Sequence, residues 1–169
     1  ADVGPANGKW LMVAVSMALF CVQIDYFAMN LALPKIASDF GSTATDLQWI
    51  ISIYMVTLGA LMVPAGRLAD IFGRKQILLI GIALFGLASL LCAIAASAAT
   101  LVAFRALQGA GAALIFPASV SVITNAFPPA QSGRMIGLAY GIAGLGNAAG
   151  PLIGGSLTQT VGWRWIFAL

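Results

Sequence analysis

Gly66-Arg67-Leu68-Ala69-Asp70-Ile71-Phe72-Gly73-Arg74-Lys75 is a short charged stretch wedged between two apolar runs, each long enough to cross a bilayer. It holds the densest charge in the chain, and Gly66 and Gly73 are expected to free the backbone for a tight connector at a membrane face. That arrangement points to a moving membrane machine rather than an inert anchor.

Composition supports a lipid-embedded chain. Of the 169 residues, 61% are hydrophobic and only 8% charged, with a mean hydropathy of +1.00. A soluble domain carries roughly 25% charged residues, so this chain cannot clothe a water-facing surface. The apolar runs exceed the needs of a soluble core, because about 20 residues span the hydrocarbon layer. They do not alternate, which argues against a β-barrel. The expectation is an all-α polytopic membrane protein.

Several functions are disfavoured. The net charge of +3 is scattered over loops and helix ends, with no basic face for nucleic acid. Histidine and glutamate are absent, which removes Ser-His-Asp and Cys-His nucleophile systems and His-ligated zinc. No phosphate-binding loop motif occurs, so ATP hydrolysis by this chain is not expected. Cys21 and Cys92 lie inside apolar runs and read as small hydrophobes rather than a disulfide framework. No metal, cofactor or enzymatic chemistry is expected.

The hydropathy pattern gives five complete spans, at 10–33, 47–65, 76–96, 101–126 and 135–159, and the start of a sixth at 163–169. Together they form an incomplete six-helix bundle, and the expectation is that further helices of the same protein complete it. Lys9, Arg67, Arg74, Lys75 and Arg134 fall on one side, Lys35 and Arg164 on the other. This bias of basic residues predicts a cytoplasmic N-terminus; the membrane itself is expected to be a bacterial inner or plasma membrane. Trp10, Trp49, Trp163 and Trp165 all fall at predicted span ends, where interfacial aromatic belts belong.

Four blocks together resemble the major facilitator superfamily. Gly66 to Lys75 resembles its cytoplasmic loop between helices two and three. Leu101-x-x-x-Arg105-x-x-Gln108-Gly109-x-Gly111 is similar to its fourth-helix motif. Gly146-x-x-x-Gly150-Pro151-x-x-Gly154-Gly155 resembles the fifth-helix motif that marks its drug:proton antiporters, and Asp25 to Pro34 resembles the first-helix motif of the multidrug exporters. Gly162-Trp163-Arg164-Trp165-Ile166-Phe167 is similar to the beginning of helix six in the fourteen-helix exporters. One departure is Phe27, where that first-helix motif usually has a small hydroxyl residue. The resemblance implies a major facilitator-type bundle whose partners are protons, a small lipophilic substrate and the lipid bilayer.

Asp25 is the leading candidate for coupling. An ionised carboxylate at mid-bilayer costs about 2.5–3.5 kcal/mol on insertion scales, so it should face a cation or a wet cavity. Desolvation favours the neutral acid and a nearby cation favours the anion. A carboxylate balanced between the two can exchange a proton, for which a cationic substrate competes. The bland alternative is a static aspartate bonded to a neighbouring helix. Arg105 is the expected partner, although it lies at about 8 Å depth against about 14 Å for Asp25, and the two side chains should lean apart. Its alternative is snorkelling to the interface. The resemblance associates Arg105 with proton coupling, and Gln108 shares its helix face.

Asp70 and Arg74 carry a second hypothesis. The resemblance implies that this loop, through Gly66, Asp70, Gly73 and Arg74, latches the two halves of a transporter, with Arg134 as the expected partner of Asp70. A topology anchor is the alternative, but acidic charge contributes little to topology. On the fifth helix, Gly137, Gly141, Gly146, Gly150 and Gly154 form an expected close-packing stripe, and Pro151 an expected bend. Tyr26 and Asn30 are cavity candidates with Gln108. Gln23, Tyr54, Asn125, Tyr140 and Asn147 are further polar or aromatic residues in apolar runs. These observations favour an exporter of lipophilic cations driven by protons; a nutrient transporter of the same fold and a non-transporting scaffold or sensor are the rivals.

Overall fold

The structure is a computed structural model that describes residues 5–168. Five helices follow one another: α1 Pro5–Phe40, α2 Ala44–Phe72, α3 Arg74–Ala93, α4 Ala98–Ala126 and α5 Pro129–Thr160. A 3-10 turn, Trp163–Ala168, closes the described chain. No strand occurs among the described residues. All five helices are long and apolar enough to cross a membrane. Helices are the natural answer here, because lipid offers no partner to a free backbone N–H or C=O.

Every helix outruns its predicted hydrophobic span at one end or both. Hydropathy marks where lipid contact stops, whereas a helix stops where its backbone is capped. Thr43 caps α2: its hydroxyl accepts from the Asp46 N–H, while the Thr43 N–H donates to the Asp46 carboxylate at 2.9 Å. Ser97 and Thr100 make the same reciprocal arrangement at the start of α4. Such boxes satisfy donors that otherwise lack a partner.

The expected loop at Gly66–Lys75 is corrected in the same way. Residues 66–72 are the last two turns of α2, and the connector to α3 is Gly73 alone, at φ +101°. Gly66 is no hinge; a Cβ added there would lie 3.7 Å from Pro117, so it is a packing position against α4. Trp163–Ala168, where a sixth span is expected to start, form a 3-10 turn.

The helices run up and down, with α1 packed along α5, and α4 in the middle against both α2 and α3. Glycine sets these approaches. A Cβ on Gly146, Gly150 or Gly154 would come within 2.9, 2.7 and 2.6 Å of Phe20, Phe27 and Ala28 on α1. On α4, Gly109 is pressed against the Tyr54 backbone of α2 and Gly111 against Phe85 of α3. Gly137 and Gly141 face open space, so the expected five-glycine stripe shrinks to three.

Two apolar cores result. One, nearer the N-terminal end of the bundle, gathers Val15, Leu19, Val22, Tyr54, Phe85, Ile115 and Ile123 among others. The other, at the far end, gathers Met29, Ile36, Ile50, Cys92, Leu101, Trp163 and Phe167. Trp10, Trp49 and Trp165 are exposed, as belt residues should be, but Trp163 is buried in this far core. Its burial moves it from the interface to the packing of the fold.

Candidate functional site

Between the two cores lies a polar layer. Val22 belongs to one core and Ala28 to the other, and Asp25 sits between them on α1. Arg105 and Gln108 sit likewise between Leu101 and Ala112 on α4, three residues apart and therefore on one face. Arg105 and Gln108 are 0% exposed and Asp25 is 4% exposed.

The three side chains close a ring. Arg105 Nη1 donates to Asp25 Oδ2 at 2.5 Å and to Gln108 Oε1 at 2.7 Å. Gln108 Nε2 donates to Asp25 Oδ1 at 3.0 Å. Both carboxylate oxygens are thus occupied, one by a cation and one by a neutral amide. The amide orientation is dictated by its neighbours, because the reverse would set its oxygen against the carboxylate. The depth mismatch expected from sequence is bridged by the long arginine stem.

The remaining surface of the guanidinium lies on an aromatic ring. Arg105 Cζ is 4.4 Å from the centroid of Tyr54 on α2. Arg105 Nε and Nη2 have no hydrogen-bond acceptor among the described residues. The ring face is their electron-rich neighbour, a favourable contact when both partners are dehydrated. Tyr26, half-buried, stacks on Tyr54 with centroids 5.9 Å apart and so forms a second layer of the site. From α3, Cys92 Sγ reaches Gln108 Oε1 at 3.8 Å, and Ser89 Oγ accepts from Gln108 Nε2 at 3.3 Å.

Other expected site residues divide. Asn30 is exposed and donates back to the Tyr26 carbonyl on its own helix, apart from the buried ring. Gly146, Gly150 and Gly154 hold α1 against α5, a Cβ added to Gly155 would lie 3.2 Å from the Leu31 side chain, and Pro151 lies inside α5. At the N-terminal end of the bundle, Asp70 pairs with Arg74 at 3.3 Å instead of with Arg134. Arg134 is exposed and makes no hydrogen bond or ion pair among the described residues. The reason is local: one helical turn separates Asp70 from Arg74, a distance the helix closes by itself. Arg74 Nη1 also donates to Asn125 Oδ1 of α4 at 2.6 Å, so the junction binds three helices. An open cavity of about 1150 Å³ lies beside it, lined by Leu11, Asp70, Arg74, Gln76 and Asn125 among others.

Sequence reasoning missed Ser89 as a member of the site and left Tyr54 unassigned. Ser89 sits in an apolar run and carries no spacing that points to Gln108. It also missed the tie at the far end. There the Trp163 indole N–H donates to Asp39 Oδ2 at 2.9 Å, and Arg164 lies 4.5 Å from the Trp163 ring while donating to the Ala95 carbonyl. Asp39, which follows the predicted hydrophobic run of the first span, also pairs with Lys35 one helical turn before it at 3.1 Å. No cluster of three His, Cys, Asp or Glu suited to a metal occurs among the described residues.

The Major Facilitator Superfamily profile matches residues 15–169. A puromycin resistance protein of Streptomyces alboniger is 41% identical over 164 residues, covering 96% of this chain and 33% of its own length. A riboflavin transporter of Clostridioides difficile is 32% identical over 162 residues, covering 95% of this chain and 36% of its own. The chain therefore spans about a third of the length of these curated relatives. A crystal structure of a bacterial homologue of the human lysosomal transporter Spinster, inward-facing and unoccupied, superposes with a TM-score of 0.80 at 22% identity. It covers 95% of this chain and 36% of that one, a likeness of fold.

Proposed function

The chain belongs to the major facilitator superfamily, a family of multi-pass membrane transporters and not of enzymes, and from that premise we propose that it is part of an exporter that exchanges lipophilic, cationic drugs for protons. The observation that carries this reading is the ring of Asp25, Arg105 and Gln108, buried between two apolar cores. Similarity to a puromycin resistance protein over 96% of the chain supports export of a drug. Further helices of a longer protein would supply the other wall of the cavity, as in transporters built from paired bundles. The N-terminal end of the bundle would face the cytoplasm of a bacterium, on the distribution of basic residues.

The proposed cycle uses the ring directly. In the conformation described, Arg105 neutralises the Asp25 carboxylate and Gln108 satisfies its second oxygen. A proton arriving on Asp25 removes the charge that Arg105 attracts and loosens α1 from α4. A substrate cation competes with that proton for the same carboxylate, so only one of them rides on Asp25 at a time. Asp70, Arg74 and Arg134 would act elsewhere, at the cytoplasmic end, where the two bundles close.

The test is efflux of ethidium, a lipophilic cation, from vesicles holding the complete transporter under an imposed pH gradient. Asp25→Asn keeps the shape and one acceptor oxygen, which can still receive the Gln108 amide, but cannot carry a proton in exchange. Gradient-driven export is expected to vanish in that variant. Export at the wild-type rate would remove Asp25 from the coupling role.

A second reading has its own support, the similarity to a riboflavin transporter over 95% of the chain. A transporter of neutral metabolites would move riboflavin and leave ethidium behind in the same vesicles. Direction separates the two further, because a proton-coupled uptake carrier would move its substrate with the protons, whereas the exporter moves its substrate against them.

A further inference from the structure

We infer that Ser89 is a positioning residue that connects the charge state of Asp25 to the turn Trp163–Ala168 at the far end of the bundle; the inference rests on the exporter reading and concerns how that site is read out. Ser89 Oγ donates its one proton to the Phe167 carbonyl at 2.9 Å and accepts from Gln108 Nε2 at 3.3 Å. The same Gln108 nitrogen donates to Asp25 Oδ1 at 3.0 Å. One amide group therefore holds the carboxylate with one proton and Ser89 with the other. A neutral hydrogen-bonded path leads from the middle of α1, through α4 and α3, to the closing turn.

That turn is anchored back on α1. Trp163 donates to Asp39 near the end of α1, Arg164 donates to the carbonyl of Ala95 in the connector that follows α3, and Phe40 meets the Trp163 ring edge-on at 5.6 Å. Trp163, Ile166 and Phe167 are all buried in the far core. The far end of the bundle is thus clasped shut by the segment whose carbonyl Ser89 holds. A proton on Asp25 weakens its Oδ1 as an acceptor, which frees the Gln108 amide to turn. Ser89 then loses a donor, and the Phe167 end of the clasp loses its fixed partner.

The ionisable groups that face Asp25 bound this effect. Arg105 comes from α4, Tyr54 from α2 and Cys92 from α3, while Cys21 and Tyr26 flank Asp25 on α1 itself. Neither α5 nor the turn makes an ion pair or a side-chain hydrogen bond with Asp25 among the described residues. Ser89 is itself neutral, so it acts by fixing the amide rather than by adding charge.

The experiment follows ethidium export by the complete transporter in proteoliposomes across a range of internal pH. With the amide no longer fixed on the carboxylate, Ser89→Ala is expected to move the midpoint of the pH profile upward. Gradient-driven export should fall about fivefold, the size of one net buried hydrogen bond. Ser89→Thr keeps the hydroxyl and is expected to restore both readouts. If Ser89→Ala fails to reach the membrane, Ser89→Cys, of similar volume and a weak donor, takes its place. A wild-type pH profile in whichever of these two variants reaches the membrane overturns the inference while leaving the exporter reading intact. Wild-type vesicles that move no ethidium overturn both.

Discussion

Asp25 and Arg105 lie 80 residues apart and meet at 2.5 Å, with side chains 6% and 0% exposed, whereas Asp70 and Arg74 lie one helical turn apart, 3.3 Å from each other and 52% and 35% exposed. The side chains are the same and the physics is not. The buried pair has lost its water, so each charge depends on the other and on Gln108. The exposed pair keeps most of its hydration, and salt screens what remains. Dependence of this kind is what would let the arrival of one proton, in the proposed cycle, reorganise packing between helices. An exposed pair offers no such leverage and serves better as an adjustable contact between surfaces.

The sharpest way to break the contrast is to remove one cation from each pair. Arg105→Met leaves an uncompensated carboxylate between two apolar cores, a change that costs about 3–5 kcal/mol in comparable buried pairs. The complete transporter in detergent should melt well below wild type. Combining Arg105→Met with Asp25→Asn removes the stranded charge and should recover part of that loss. Melting of the single variant at the wild-type temperature would show that Asp25 is hydrated in solution, contrary to the buried ring.

The buried pair was half legible in the sequence. Asp25 and Arg105 stood out because a charge inside an apolar run needs a partner, and the chain has no other residues of that kind. Gln108 followed from helical spacing. Ser89 and Tyr54 did not, since a serine or a tyrosine in a membrane helix has several inexpensive ways to be satisfied, and only the fold selects one. The link between Trp163 and Asp39 spans 124 residues and carries no periodic signal. The glycines are instructive because the information was present. Gly146, Gly150 and Gly154 keep a four-residue spacing, but Gly141 stands five residues before Gly146, which rotates it by about 140° around the helix. Gly66 misled for another reason: the edge of a hydrophobic run marks the lipid boundary, and the helix continues through it into water until Gly73.

Glycine packing gives the next largest effect and bears on the buried pair alone. A methyl group on Gly154 would sit 2.6 Å from Ala28 Cα, one turn beyond Asp25, where backbone rather than a flexible side chain must yield. Gly154→Ala should push α1 from α5 and strain the Asp25 contacts, at about 1–3 kcal/mol for overpacking. Gly137→Ala on the same helix meets nothing within 4 Å. It should be neutral or stabilising by up to about 1 kcal/mol through helix propensity. Equal melting temperatures for the two variants would contradict the α1–α5 contact described above.

The smallest effect on stability belongs to the exposed pair, where the two readouts should separate. Arg74→Lys retains a cation beside Asp70 but loses the planar fork that also reaches Asn125 of α4. Exposed pairs one turn apart contribute about 0.3–0.5 kcal/mol, so the melting temperature should hardly move, and less still at high salt. The junction nevertheless joins the ends of α2, α3 and α4 at the face proposed to close against the rest of the transporter. Ethidium export should therefore slow in Arg74→Lys while stability stays near wild type. A variant that melts early and transports normally would assign Arg74 to the architecture of this bundle, and the division between a buried pair that senses and an exposed pair that docks would fail.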